Sequence, residues 1–534
     1  MPNSFPESRF QQALRVLQKT FGHGTFRPPQ DAIIQCVLGG RDALVLMPTG
    51  GGKSLCYQIP ALVQPGLGVV ISPLIALMED QVGALRRRNV AAAALHSGLS
   101  VAEQEQVEKD LQDGRLKLLY CAPERLLSER TLRLLRQLSI NLFAIDEAHC
   151  VSQWGPQFRP EYDQLGRLRE LFPGVVRIAL TASADPQSQQ DIQQSLALQN
   201  AQVFVQSFDR PNIQYQIQQG GGGRAALLEF LQGQRGAGIV YCLSRRKVEE
   251  TAQWLCSQGY SALPYHAGMS AANRNTHQRA FLTGSVSLMV ATIAFGMGID
   301  KPDIRFVAHL NLPKNIEAYY QETGRAGRDG KPAVAWLHYG LQDLILLRQM
   351  IQSTDASQQQ LEEERLQAML DLTEEIGCRR QRLLAYFGEE LSAPCGNCDN
   401  CLQPPPHWDA SEAAQMALSA AYRSGQRWGV QHLIDILLGR DTPRIQQYRH
   451  QQLSVYGIGR QLSARHWQAV FRHLLARGYL LPHLQNSALR LTAKSRTLLR
   501  GEERIWLRGE VGTSNHSPCP PLAEGRSWKE RRQA

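Results

Sequence analysis

Ala43-Leu-Val-Leu46, followed at once by Met47-Pro-Thr-Gly-Gly-Gly-Lys-Ser54, decides how this chain folds. A short apolar run that ends in a glycine cluster, with helical Leu55-Cys-Tyr-Gln58 behind it, reads as a buried strand, a tight loop and a helix N-terminus. Around Thr49, Gly50, Gly51 and Gly52, backbone N–H groups can close on phosphate oxygens, Lys53 can reach the β- and γ-phosphates, and Ser54 can ligate Mg²⁺. The strict pattern has glycine where Met47 stands. Taken alone the loop therefore leaves a second reading open, a glycine turn with a solvated lysine.

Further along, the apolar run Leu142-Phe-Ala-Ile145 delivers Asp146-Glu147-Ala148-His149. Ligands of open α/β sheets bind at strand carboxyl ends, so these carboxylates belong beside the glycine loop. Asp146 would hold Mg²⁺, and Glu147 would orient and deprotonate the attacking water. An isolated Asp-Glu pair can also be a helix N-cap, a reading that weakens with a glycine-lysine loop upstream. Tyr319-Tyr-Gln-Glu-Thr-Gly-Arg-Ala-Gly-Arg328 places two arginines three apart, which on a helix puts them on one face. Such a pair can be plain surface. Its sharper reading is that Arg325 and Arg328 reach across an interdomain cleft to the γ-phosphate, so that nucleotide binding closes the cleft and hydrolysis reopens it.

The 534 residues suffice for three or four domains. Short apolar runs separated by helical patterns, such as Leu67-Gly-Val-Val-Ile71, Leu116-Lys-Leu-Leu-Tyr120 and Arg177-Ile-Ala-Leu180, read as parallel strands with crossover helices. The same theme returns in Gly238-Ile-Val-Tyr241, Ser287-Leu-Met-Val-Ala291 and Arg305-Phe-Val-Ala-His309. Two tandem α/β domains follow, with a boundary near Phe208-Asp-Arg-Pro-Asn212 and a flexible glycine loop at residues 220–223. Residues 361–375 have charged helical periodicity, Pro404-Pro-Pro406 is a rigid spacer, and 411–500 read as short helices followed by a hairpin over 479–491. Residues 509–534 show no periodicity and are expected to be disordered.

Residues 1–401 carry 39 basic and 39 acidic side chains, whereas 402–534 carry 19 and 9. The whole excess of +10 therefore sits in the last quarter, as a polyanion partner would favour, although a basic tail can also be simply solvated. No stretch reads as a membrane span or secretory signal, so the expectation is a soluble intracellular protein with no membrane partner.

Four of the eleven cysteines, Cys378, Cys395, Cys398 and Cys401, fall in one short segment. Four thiolates suit tetrahedral Zn²⁺ in a closed structural site. The spacing of the last three also starts a ferredoxin-like run, and reduced structural cysteines are a third reading.

In order and wording these motifs resemble the RecQ family of superfamily 2 DNA helicases, over roughly residues 5–505. Further segments carry the resemblance: Phe26-Arg-Pro-Pro-Gln30, Ser72-Pro-Leu-Ile-Ala-Leu-Met-Glu-Asp-Gln81, Ala122-Pro-Glu-Arg125, Ser152-Gln-Trp-Gly-Pro-Gln-Phe-Arg-Pro-Glu-Tyr162, Leu180-Thr-Ala-Ser183 and Ala291-Thr-Ile-Ala-Phe-Gly-Met-Gly-Ile-Asp-Lys-Pro302. The resemblance implies two RecA-like parallel-sheet domains (1–208 and 209–345), a helical zinc-binding domain (346–405) and a winged-helix domain (406–508). It implies ATP-driven unwinding of duplex DNA with 3′-to-5′ polarity, in repair and recombination. His23, Arg27, Gln30 and Gln321 would contact nucleotide; Thr181 and Ser183 would link hydrolysis to DNA movement. Trp154, Phe158 and Arg159 would touch DNA bases, stacking being their physical means, with core packing as the alternative.

Two departures bear on coupling. Pro156-Gln157 stands where the family usually has His-Asp, and His23 replaces a customary tyrosine. The resemblance further implies single-stranded and forked or tailed DNA as partners, with a single-strand-binding protein and recombination factors, in a nucleoid-associated cytoplasmic setting. Arg444, Arg449, Arg460, Arg465, Arg472 and Arg477 fit phosphate contact in the winged helix. The small helical module that many relatives append is not expected from about Gly509 onward. Competing readings are an RNA-dependent remodeller and a DNA-binding scaffold without a motor.

Overall fold

The computed structural model describes residues 8–48, 50–151, 160–182, 184–220, 222–293, 295, 301–483 and 487–509. The expected tail from 510 onward, Thr49, Trp154, Pro156, Gln157, Phe158, Arg159 and Ser183 lie outside them. The chain divides into one unit of residues 1–343 and 354–403 and a second of 344–353 and 404–534.

Seven strands of the first unit form one sheet: β1 (Ala43–Leu46), β2 (Leu67–Ile71), β3 (Ala92–Leu95), β4 (Leu118–Cys121), β5 (Ile140–Ile145), β6 (Val176–Thr181) and β7 (Gln202–Val205). Their order is β3-β4-β2-β5-β6-β1-β7, and every pairing is parallel. The central strands β1, β2 and β6 are buried at every position, as strands covered on both faces must be, whereas edge strand β7 leaves Val203 and Val205 exposed. Register brings Leu46 opposite Thr181 and Val205, and Ile145 opposite Ala179 and Ile71. The glycine loop, Asp146, Thr181 and Gln206 thus leave the sheet along one carboxyl edge.

The second sheet contains β8 (Ile213–Gln219), β9 (Ala237–Tyr241), β10 (Ala262–Tyr265), β11 (Leu288–Ala291), β12 (Ile304–His309) and β13 (Ala333–Tyr339), in the order β10-β11-β9-β12-β13-β8, again all parallel. Alternation along β9 feeds two cores: Val240 joins Leu227, Val248 and Trp336, while Ile239 and Tyr241 join Phe281 and Phe295. The expected flexible glycine loop is met by a helix: Gly220 and Gly222 have positive φ, and Gly223 already opens helix Gly223–Gln232.

Helices Ala356–Thr373 and Arg379–Tyr386 follow, then the short helix Asp399–Leu402 with the cysteines around it. The expected boundary at 345 falls inside helix Leu341–Gln352, whose residues from Leu344 onward group with the second unit.

In the second unit, helices Ser411–Arg423, Val430–Leu438 and Ala464–Ala476 bury Ala417, Leu433, Ile434, Phe471 and Leu474 in a winged-helix core. The hairpin Leu480–Pro482 with Leu489–Leu491 is antiparallel, and His407–Asp409 pairs with Trp506–Arg508 to close the unit. No described helix is long and apolar enough to cross a membrane.

Candidate active site and metal centre

The glycine loop is folded on its own backbone, with Gly51 N–H donating to Pro48 O at 3.1 Å and Lys53 Nζ donating to Met47 O at 3.0 Å. Met47, where the loop pattern has glycine, is fully buried in the core of the first sheet. The end of this side chain reaches the glycine loop, Met47 Cε lying 3.2 Å from where a Cβ on Gly51 would stand. Gly52 has φ +81°, and a Cβ there would lie 2.4 Å from Gln30 Nε2.

Gln30 is buried, and its carboxamide is already engaged. It donates to Gly51 O (3.2 Å) and Gly52 O (3.3 Å) and accepts from Arg27 N–H at 2.9 Å, so it braces the loop. His23 and Arg27 are exposed. Ser54 stands at the N-terminal position of helix Leu55–Val63, directly after Lys53, and makes no side-chain cap bond to it.

Asp146 hangs from the end of β5, its N–H donating to Ile71 O at 2.9 Å. Glu147 has φ 49°, a left-handed conformation that a side-chain-bearing residue holds only under constraint. Its N–H donates to Asp146 Oδ1 at 3.0 Å. Burial, and then the neighbouring Glu147 carboxylate, push the Asp146 carboxyl up, against the pull of Lys53. Burial likewise pushes the Lys53 ammonium down, while Glu147 and Asp146 hold it up and Arg328 opposes them. A divalent cation between carboxylates and phosphates would remove the penalty on Asp146, so the donor set fits Mg²⁺. His149 Nδ1 lies 3.4 Å from Glu147 Oε2 and shares a 2.9 Å hydrogen bond with Thr181 Oγ1, which links the acidic turn to the end of β6.

Lobe two reaches this site through Arg328. A Cβ built on Gly50 would meet Arg328 Cγ at 3.3 Å, so the arginine stem lies across the glycine loop. Arg325 is buried against Tyr241, within the second lobe. The arginines are not on a helix face as the spacing suggests: helix Ile316–Thr323, which carries Gln321, ends before them, and Gly324 and Gly327 turn the chain. Gly327 has φ +58°, and its N–H donates to Ile304 O at 2.8 Å.

Sequence reasoning missed what holds that turn. Arg210 donates to Gly324 O (3.1 Å), Ala326 O (2.9 Å) and Gly327 O (3.1 Å), and Asn212 Nδ2 donates to Gly327 O (2.8 Å) and Lys331 O (2.9 Å). The polar run Asp209-Arg-Pro-Asn212, read only as a domain boundary, was the available signal.

The Sγ atoms of Cys378, Cys395, Cys398 and Cys401 all lie within 4.8 Å of one another. A tetrahedral ion with Zn–S near 2.3 Å separates its sulfurs by about 3.8 Å, and the Cys395–Cys401 pair is 3.9 Å apart. Backbone N–H groups of Cys395 and Asn397 donate to Cys378 Sγ and Cys395 Sγ, as thiolate ligands require. Burial, followed by sulfur neighbours, pushes Cys401 up to about 12, a penalty that a dication at the centre removes. Next to these ligands Arg379 forks onto Asp399 at 2.7 and 3.1 Å, and Asp399 Oδ2 accepts from Ile217 N–H of β8 at 3.0 Å.

Four families match in chain order: DEAD/DEAH box helicase over residues 27–192, helicase conserved C-terminal domain over 223–330, RecQ zinc-binding over 341–402 and RQC domain over 404–515. The chain is similar to an ATP-dependent DNA helicase RecQ of Pasteurella multocida, 47% identical over 93% of this chain and 79% of that one. A protein of the same description from Bacillus subtilis is 37% identical over 92% of this chain and 84% of its own. Among solved structures, Mycobacterium smegmatis helicase Lhr bound to ssDNA and AMP-PNP aligns with a TM-score of 0.51 at 18% identity, over 92% of this chain and 61% of that one, a likeness of fold. These matches do not favour the remodeller or scaffold readings.

Proposed function

This chain belongs to the RecQ family of ATP-dependent DNA helicases, and from that premise we propose how its residues divide the work of unwinding DNA with 3′-to-5′ polarity in repair and recombination. It is an ATP-dependent DNA helicase that uses ATP with Mg²⁺ and holds structural Zn²⁺. Lys53 and the N–H groups around Gly50, Gly51 and Gly52 bind the triphosphate, with Thr49 beside them. Ser54 and Asp146 hold Mg²⁺, which when bound neutralises charge between the phosphates. Glu147 takes the proton of the attacking water, and Arg328, with Arg325 behind it, stabilises charge that develops on the transferred phosphoryl group.

The observation that carries this reading is the Arg328 stem lying on Gly50, which makes the fuel site a property of both lobes. His149 and Thr181 would relay the state of the Glu147 turn toward the DNA face, where Trp154, Phe158 and Arg159 contact the tracked strand. Gln30 supports nucleotide binding by bracing the loop, and its expected contact with a base edge, shared with His23, Arg27 and Gln321, would exchange one of its present bonds. Domain limits at 208, 345, 405 and 508, a cytoplasmic nucleoid-associated setting, and pairing with a single-strand-binding protein and recombination factors complete the proposal.

The test is strand displacement on tailed DNA and RNA duplexes, with and without ATP, comparing the chain with Lys53→Ala. Unwinding of DNA that needs ATP and vanishes in the variant, while DNA binding persists, is expected. Unwinding that survives the variant would overturn the assignment.

A further inference from the structure

We infer that Gln206 is a positioning residue that aims Arg328 at the phosphates, an inference that rests on the role just given to Arg328. Gln206 continues β7 by one residue, its N–H donating to Leu46 O at 2.8 Å, and so emerges level with the glycine loop. Its Oε1 is sealed from solvent and has no hydrogen-bond partner among the described residues. A Cβ on Gly51 would meet that oxygen at 3.1 Å, while a Cβ on the preceding Gly50 would meet the Arg328 stem. An uncommitted acceptor and an arginine from the other lobe therefore flank consecutive residues of one loop.

A guanidinium has five N–H donors, and a phosphoryl group can take only the fork that faces it. The others need acceptors that fix its plane. Carboxylates would do this badly, because Asp146 and Glu147 would compete with the phosphates for the same charge. A neutral carboxamide oxygen orients the arginine without drawing it away.

The neighbours of Gln206 explain why the contact depends on lobe position. Ser207 Oγ and Phe208 N–H donate to Glu389 of the zinc segment at 2.5 and 2.7 Å, and Phe208 stacks on Phe387 with ring centroids 4.8 Å apart. Phe208 O accepts from Tyr320 OH at 2.9 Å, on the helix that leads into the arginine turn. Gln206 is thus anchored to lobe one by β1, while the two residues after it are held by the zinc segment and lobe two. Rotation about this linker changes the Gln206–Arg328 separation, so the contact belongs to the closed, reacting arrangement.

An interaction made only in the transition state lowers kcat when removed and leaves KM alone. Steady-state ATPase of the full chain with single-stranded DNA is the assay, on Gln206→Leu, Gln206→Glu, Arg328→Ala and the Gln206→Leu/Arg328→Ala double variant. Gln206→Leu is expected to lower kcat about tenfold with KM for ATP and DNA affinity within twofold. Gln206→Glu, which replaces the neutral acceptor with a carboxylate that competes with the phosphates for Arg328, should lower kcat by a similar factor. In the Arg328→Ala background Gln206→Leu should add less than about twofold. Equal losses in both backgrounds, a raised KM with kcat intact, or parental kcat in Gln206→Glu would overturn the inference while leaving Arg328 in its role. If Arg328→Ala keeps full kcat, the reading of Arg328 fails and this inference falls with it.

Discussion

Arg210→Ala should disable the ATPase without touching the nucleotide loop. Arg210 gives three hydrogen bonds of 2.9 to 3.1 Å to the carbonyls of Gly324, Ala326 and Gly327, the backbone that presents Arg325 and Arg328. Each such bond is worth about 1 kcal/mol net, so the turn loses about 3 kcal/mol of preference for its active shape. At 1.36 kcal/mol per tenfold, kcat should fall by up to about a hundredfold. Lysine cannot replace the planar fork and should restore little of it. The assay is DNA-stimulated ATP hydrolysis, with ADP affinity measured in parallel. Since Lys53 and its loop belong to the other lobe, ADP should bind the variant as it binds the parent. A kcat within twofold of the parent would refute the claim that linker Arg210 holds the arginine turn.

Gly52→Ala forces a side chain into a φ of +81° and onto Gln30 Nε2, so ATP affinity should fall at least about fivefold in an equilibrium titration, because strain of this kind costs about 1–3 kcal/mol; an unchanged affinity would show that the loop can relax. Cys398→Ser should lose the one zinc per chain by metal analysis. It should also speed amide exchange along β8, which Asp399 holds through Ile217 N–H, while β1 exchanges as before. In the second unit, burial, then His450 and Arg444, push His432 down to about 4 against the pull of Asp435, and its Nε2 is 2.8 Å from His450 Nδ1. A histidine held neutral in the fold stabilises fully above its ordinary value near 6.5, and that contribution, at most about 3 kcal/mol, is lost as pH falls from there toward 4. Thermal unfolding of the full chain should therefore lose less stability between pH 7 and 5 in His432→Gln; identical pH profiles would remove His432 from the explanation.

The local pieces of chemistry were legible in the chain itself. A glycine loop, an acidic pair after an apolar run and four closely spaced cysteines act through residues near one another in sequence, so spacing alone carries their geometry. The apolar runs also marked several buried strands, because a strand covered on both faces can hold little but apolar residues. Edge and half-covered strands were harder: Ile213–Gln219 alternates with glutamines, and Ala92–Leu95 is a run of alanines that suits a helix equally well.

Contacts between distant parts of the chain were decided only by tertiary structure. Nothing in the sequence near Met47 says that its side chain packs into the core of the first sheet. The three-residue spacing of Arg325 and Arg328 suggested a helix, yet Gly324 and Gly327 end it, and Arg210 from the linker supplies the missing support. Gln206 and Arg210 carry no motif because their roles come from partners in other segments. Sequence periodicity records what a residue does within its own helix or strand; which loop of one lobe meets which turn of the other is set by strand order, register and linker path together.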